Sequence, residues 1–275
     1  MHRQMIYLGM YVKLQLNELE AFLVDTENAL QSRCDHLVAQ LSQEAAALPE
    51  AEREQLLGVH GKDFRRLTES FPHFLRDSFL LSSFSLFEHG LERACDHVRN
   101  ALGIALPQSE LRGSGIARAQ TYLKKLAGMP FPDHVPEWNE IVHYEAIRNL
   151  IAHCDGVIER SRDKEKLRMY VLRKQGVLGT VPGLEHLELS EAFCVEMVAT
   201  LRAFFDLLTG KLAAAILARS RKVGGSAPPG LRQSRGADSG EAVPCETADG
   251  ADFRADYADT SSIQPTSNLL LTLGS

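Results

Sequence analysis

The sequence predicts an all-α fold: a bundle of four to five main helices, interrupted by a small hairpin or irregular insertion and followed by a disordered C-terminal tail. Three observations carry this. Long segments repeat apolar residues near a 3.6-residue period with few internal Pro or Gly. Weak two-residue alternation is confined to residues 167–189. Beyond Lys222 the composition turns to Gly, Pro, Ser, Ala and Asp without periodicity.

The elements follow in order. Residues 11–47 place Leu16, Leu19, Phe22, Leu23, Leu30, Leu37, Val38 and Leu41 on one amphipathic helix, which Pro49 ends. A short segment, 50–57, leads through Gly58 and Gly61 to a second long helix over 64–102, which Pro72 is expected to kink or split. A shorter helix spans 113–126. Pro136 suits the first turn of the next, which runs to Cys154 and stops at Asp155-Gly156. LRMYVLRK and LEHLEL alternate weakly around QGVLGTVPG, the expected hairpin. Ser190 then caps a last helix striped by Cys194, Met197, Val198, Leu201, Phe204, Phe205, Leu208, Leu212 and Ile216. Residues 1–223 form one helical domain and 224–275 the tail.

Composition limits the partners. The 275 residues are 44% apolar and 24% charged, with 30 basic against 36 acidic side chains and a net charge of −6. Bulk positive charge therefore cannot hold nucleic acid, and any such binding needs a local patch. Seven acids and three bases fall in 224–275, so the tail holds −4 of the charge and the body −2. No secretory leader pattern opens the chain, and a cytoplasmic location is expected. The longest apolar stretches, 79–87 and 204–217, fall short of the roughly 18 to 20 residues of a membrane span. Five scattered cysteines lack a CxxC pair, which points to reduced thiols, four of them in or near the core.

The usual signatures of nucleotide hydrolysis, hydride transfer, serine hydrolysis and zinc proteolysis are missing: there is no GxxxxGK[ST], GxGxxG, GxSxG or HExxH. What stands out is Arg148-Asn149-Leu150-Ile151-Ala152-His153, three polar groups in an otherwise apolar helix. At about 100° per residue, Asn149 and His153 share a face, while Arg148 and His153 diverge by about 140° and flank a ridge that a long Arg side chain can bridge. His153 occupies the last turn, where the negative helix end favours an imidazolium suited to proton transfer near neutral pH.

Arg148-Asn149-x-x-x-His153 resembles the R-x4-H motif of HEPN-domain proteins, in the form with Asn after the Arg. The segment SLFEHGLERACDHV, 85–98, is similar to the Glu-containing helix that precedes the motif in many members. The resemblance covers about 70–215 and leaves the long first helix and the tail outside. It implies a HEPN-like bundle and metal-independent endoribonucleolytic cleavage without a cofactor. Two protomers would face their motifs into one cleft. His153 would assist attack by the ribose 2′-hydroxyl or protonate the leaving oxygen, Arg148 would hold the scissile phosphate, and Asn149 would orient groups beside it. A toxin, phage-defence or RNA-processing setting, with an antitoxin or nucleotidyltransferase as partner, follows from the resemblance alone.

Two further features bear on the motif. Phe84, Glu88, Leu91, Cys95, Val98 and Leu102 recur at alternating spacings of four and three, so Glu88 stands in a core stripe and requires a cationic or hydrogen-bonding partner, with Arg148 the economical choice. Glu88 would support the working rotamer of Arg148 or simply stabilise the fold. His89 and Glu92 read as surface groups, Trp138 and Tyr144 as core. Downstream, 159–174 carries Arg160, Arg162, Lys164, Lys166, Arg168, Arg173 and Lys174 against three acids, a local net of +4 suited to an RNA backbone or to a solvated loop. Lys124 and Lys125 are weaker candidates. The rival to a nuclease is a non-catalytic helical module that assembles through its first helix, with Arg148 a structural ion-pair donor and His153 a helix-end cap.

Overall fold

Apolar stripes on four long helices converge on one core. The computed structural model describes residues 2–113, 115–181 and 185–224. The tail expected over 224–275 lies outside the described residues except for Gly224, which closes the last helix. Helices α1 (His2–Ala46), α2 (Glu50–Arg65), α3 (Phe71–Leu102), α4 (Gly115–Thr121), α5 (Pro136–Cys154), α6 (Lys164–Arg173) and α7 (Glu191–Gly224) account for almost all of the regular structure. The rest comprises short 3-10 and π-helical turns and an antiparallel hairpin, β1 (Leu178–Val181) with β2 (His186–Leu189), in which Leu178 faces Leu189 and Val181 faces His186. The chain is all-α, as its periodicity predicts.

The α7 stripe from Cys194 to Ile216 is wholly buried. Helices α1 and α7 run antiparallel: Gly9 meets Thr209, Lys13 pairs with Asp206 at 2.7 Å, and Glu20 pairs with Arg202 at 2.8 Å. A Cβ on Gly9 would sit 2.7 Å from the Thr209 hydroxyl oxygen, so glycine permits this approach. Phe87 of α3 meets Phe204 and Phe205 edge-on, and Trp138 of α5 stacks on Phe204. These contacts fix α3 and α5 beside each other.

Three expectations change. Helix α1 begins nine residues before Tyr11, because Met5 and Leu8 extend its buried stripe upstream. No break occurs at Gly58 and Gly61; α2 runs through both, their Cα atoms facing open space, since a helical glycine costs only about 1 kcal/mol. Pro72, by contrast, splits the helix as expected and sits in the first turn of α3. A π-helical turn, Arg66–Ser70, widens the chain ahead of it and accommodates the missing N–H. Finally, LRMYVLR lies in helix α6 rather than in a strand: Leu167 and Tyr170, three apart, are its buried pair, and the hairpin forms instead from LGTV and HLEL. The motif helix behaves as read, with Pro136 at its start and Asp155 (φ 53) and Gly156 (φ 70) in the left-handed region at its end.

Candidate functional site

The geometry of the site starts from the core face of α5. Ile141, Tyr144, Ile147 and Leu150 are buried against the bundle, so the intervening Glu145, Arg148 and Asn149 turn toward α3, α4 and the surface. Arg148 donates from Nη2 to Oε2 of Glu88 at 3.0 Å and from Nη1 to Oδ1 of Asn149 at 2.9 Å. The Arg148 side chain remains 30% exposed while that of Glu88 is 16% exposed. The cation is therefore held from two sides with part of its donor fork facing solvent. Arg148 is thus the partner that the place of Glu88 in the apolar stripe makes the economical choice.

A third group, which the motif did not disclose, completes this cluster. Glu145, one turn before Arg148, lies beside the backbone N–H of Ile116 at the start of α4, which favours its charged form. A Cβ built on Gly115 (φ +54) would lie 2.8 Å from Oε1 of Glu88 and 2.9 Å from Oε1 of Glu145, so the two carboxylates meet over the bare Cα of this glycine. Burial raises the pKa of Glu88, with Arg148 acting in the opposite direction. Burial likewise raises that of Glu145, and the neighbouring Glu88 adds to the rise. Two carboxylates thus share one principal cation. The spacing Glu145-x-x-Arg148 is an i,i+3 pair in the sequence, but only the packing of α3 and α5 beside Gly115, the first residue of α4, brings Glu145 against Glu88.

His153 and Asn149 are exposed, four residues apart on one face of α5. Among the described residues no side-chain hydrogen bond engages the His153 ring. The turn that follows it is clamped by the hairpin: Leu187 donates its N–H to the Gly156 carbonyl at 2.9 Å and Ile158 donates to the Glu185 carbonyl at 3.1 Å. The His186 ring packs on Gly156, where a Cβ would lie 2.8 Å from Nε2. The insertion therefore fixes where the motif helix ends and where His153 stands.

The seven cations of the downstream segment divide into two groups. Lys164 pairs with Glu159 at 2.7 Å, and Arg168 with Glu159, with Glu165 at 2.7 Å and with Glu185 at 2.8 Å. Arg173 lies 3.6 Å from Glu140, and Lys174 pairs with Glu140 at 3.1 Å and with Glu196. Three of those carboxylates, Glu140, Glu185 and Glu196, come from outside 159–174, so the local net charge overstates the field. Arg160, Arg162 and Lys166 are exposed and have no ion-pair partner among the described residues. His89 and Glu92 are exposed, Glu92 lying 3.6 Å from Arg118, and Trp138 and Tyr144 are core. Lys124 pairs with Asp133 and does not join the motif.

Cys34, Cys95 and Cys194 are buried thiols and Cys154 is half-buried; Cys245 lies outside the described residues. Burial pushes the Cys95 and Cys194 thiols up to about 12, which suits inert core side chains. Among the described residues no group of three His, Cys, Asp or Glu is placed to hold a metal ion, and no helix is long and apolar enough to cross a membrane. Comparison with protein-family models, with curated proteins and with solved structures returned no match.

Proposed function

We propose that the chain is a metal-independent endoribonuclease of HEPN type, acting as a homodimer. The observation that carries this reading is the Arg148 guanidinium, gripped by Glu88 and Asn149 yet partly open to solvent, on the same short helix segment as an exposed His153. Preorganised donors aimed at a phosphate stabilise the charge that develops during transfer. In the cleavage step a base removes the 2′-hydroxyl proton and O2′ forms a bond to phosphorus. The bond from phosphorus to O5′ breaks, and a proton passes to the leaving oxygen. The products are a 2′,3′-cyclic phosphate and a 5′-hydroxyl. His153 performs one of the two proton transfers, Arg148 binds the phosphoryl oxygens, and Glu88 with Asn149 positions Arg148. Arg160, Arg162 and Lys166 hold the flanking RNA backbone.

The test is cleavage of single-stranded RNA by the full chain in EDTA. Loss of cleavage in His153→Ala with unchanged helicity and thermal unfolding is the expected result. Full cleavage by that variant overturns the assignment.

A second reading, a non-catalytic helical module or partner of an antitoxin or nucleotidyltransferase, is favoured by the ion pairing that neutralises Lys164, Arg168, Arg173 and Lys174. Inactivity on a broad RNA panel together with binding of a protein partner through α1 would select it.

A further inference from the structure

We infer that the outer face of the first part of α1 is the contact surface for a second copy of this chain, packed antiparallel about a two-fold axis between Met10 and Tyr11. Helix α1 is apolar on two faces. One face, Met5, Leu8, Val12 and Leu16, is buried in the bundle. The other carries Tyr7, Met10, Tyr11 and Leu14 at i, i+3, i+4 and i+7 and faces solvent, with Tyr7 64%, Met10 62% and Leu14 54% exposed. A helix apolar on both faces requires cover on both.

The charges at the two ends of this stripe identify the cover. Arg3 and Glu18 are exposed on the same face and have no ion-pair partner among the described residues. They stand about 22 Å apart along one helix, too far to pair within a protomer. An antiparallel copy whose axis falls between Met10 and Tyr11 sets Arg3 against Glu18 of the other chain at both ends. The same register sets Tyr7 against Leu14 and Met10 against Tyr11. Every residue of the stripe then has an opposite-charge or apolar counterpart, the self-complementarity that an isologous interface demands.

The shape agrees. Gln4, Tyr7, Leu8 and Tyr11 occupy the four corners that receive a knob in helix packing, and together with Arg93 and His97 of α3 they line a groove of about 260 Å³. In this register Leu14 of the second copy points at that groove. Its far wall is set by Arg93, whose guanidinium lies 5.0 Å from the Tyr11 ring centre.

This surface is separate from the motif. Arg93 follows Glu88 by five residues, about 140° around α3, and Gly90 between them faces Phe205 and Val12. Pairing through α1 therefore does not supply the motif-to-motif cleft of the proposed nuclease, and either can fail alone.

The experiment measures the mass of the full chain by sedimentation equilibrium at low salt. The wild type at about 100 µM is expected to be at least a dimer, and Met10→Asp or Leu14→Asp to halve its mass with unchanged helicity. Because each charge pair occurs twice across the axis, Arg3→Glu or Glu18→Arg alone weakens association about tenfold, and the two together restore it. A monomeric wild type overturns the proposal, whether or not it binds lipid vesicles. So does a Leu14→Asp variant of undiminished mass, and so does failure of the double charge reversal to restore pairing.

Discussion

Glu88 of α3 and Arg148 of α5, sixty residues apart in the chain, join at 3.0 Å across the flank of the bundle. The pair reconciles a carboxylate in an apolar stripe with a cation in an apolar helix, and breaking it from either side leaves a desolvated charge. Arg148→Ala is expected to lower stability by about 1–3 kcal/mol, and by clearly less in a Glu88→Gln background. Urea unfolding of the two single variants and the double variant measures the coupling. Full additivity would show that the contact contributes nothing.

His153 contrasts with Arg148. It is exposed and has no side-chain partner among the described residues, so His153→Ala should change stability by no more than about 0.5 kcal/mol. A thermal unfolding midpoint near that of the wild type, beside the loss at Arg148, would show that the fold does not depend on the His153 side chain. A large fall in the midpoint would make His153 a helix-end cap instead.

Glu145 gives a pH-dependent prediction. Its pKa in the folded chain lies above the ordinary 4.5, chiefly through burial and then through Glu88. The stability linked to such a group is fully present below pH 4.5 and is lost as pH rises through the raised value, because folding then holds a charge that burial disfavours. Glu145→Gln keeps a side-chain oxygen beside the Ile116 N–H and carries no charge. Its melting temperature should exceed that of the wild type at pH 7, the advantage shrinking toward pH 4. An advantage independent of pH would place the effect outside the ionisation of Glu145.

The division within the basic segment is testable by salt. Replacing Arg160, Arg162 and Lys166 together by Ala should flatten the dependence of log K on log salt for single-stranded RNA by about 2. Arg168→Ala should leave that slope nearly unchanged and instead loosen the join between α6 and the hairpin, where Arg168 holds Glu159, Glu165 and Glu185. Equal effects of both changes would mean that the ion pairs open to admit RNA.

Gly90 tests the packing that supports α3. A Cβ there would lie 2.9 Å from the Phe205 ring and 3.1 Å from Val12. Gly90→Ala, which raises helix propensity, should nevertheless destabilise the chain by about 1–3 kcal/mol in chemical unfolding. A stabilised variant would show that Phe205 can withdraw.

The helices of the core were legible in the sequence because burial of one stripe imposes a 3.6-residue period that survives without knowledge of the partner. The α7 stripe, the Pro136 start and the Asp155-Gly156 stop of α5 are all of this kind, local signals with local causes. Where two local signals competed, tertiary packing decided. Alternation in LRMYVLRK yielded to the burial of Leu167 and Tyr170 on a helix, and Gly58 and Gly61 were absorbed into α2 instead of breaking it.

At the candidate site, the sequence by itself determined that Glu88 needed a cationic or hydrogen-bonding partner and that Arg148 and His153 were available on one helix. The fold decided the rest: that Glu145 joins Glu88 over Gly115, that hairpin strand β2 clamps the end of α5, and that Glu140, Glu185 and Glu196 neutralise charges that look free along the chain. Periodicity reports which face of an element is buried. Electrostatic pairing depends on distances between elements remote in the chain, and those exist only once the helices have packed.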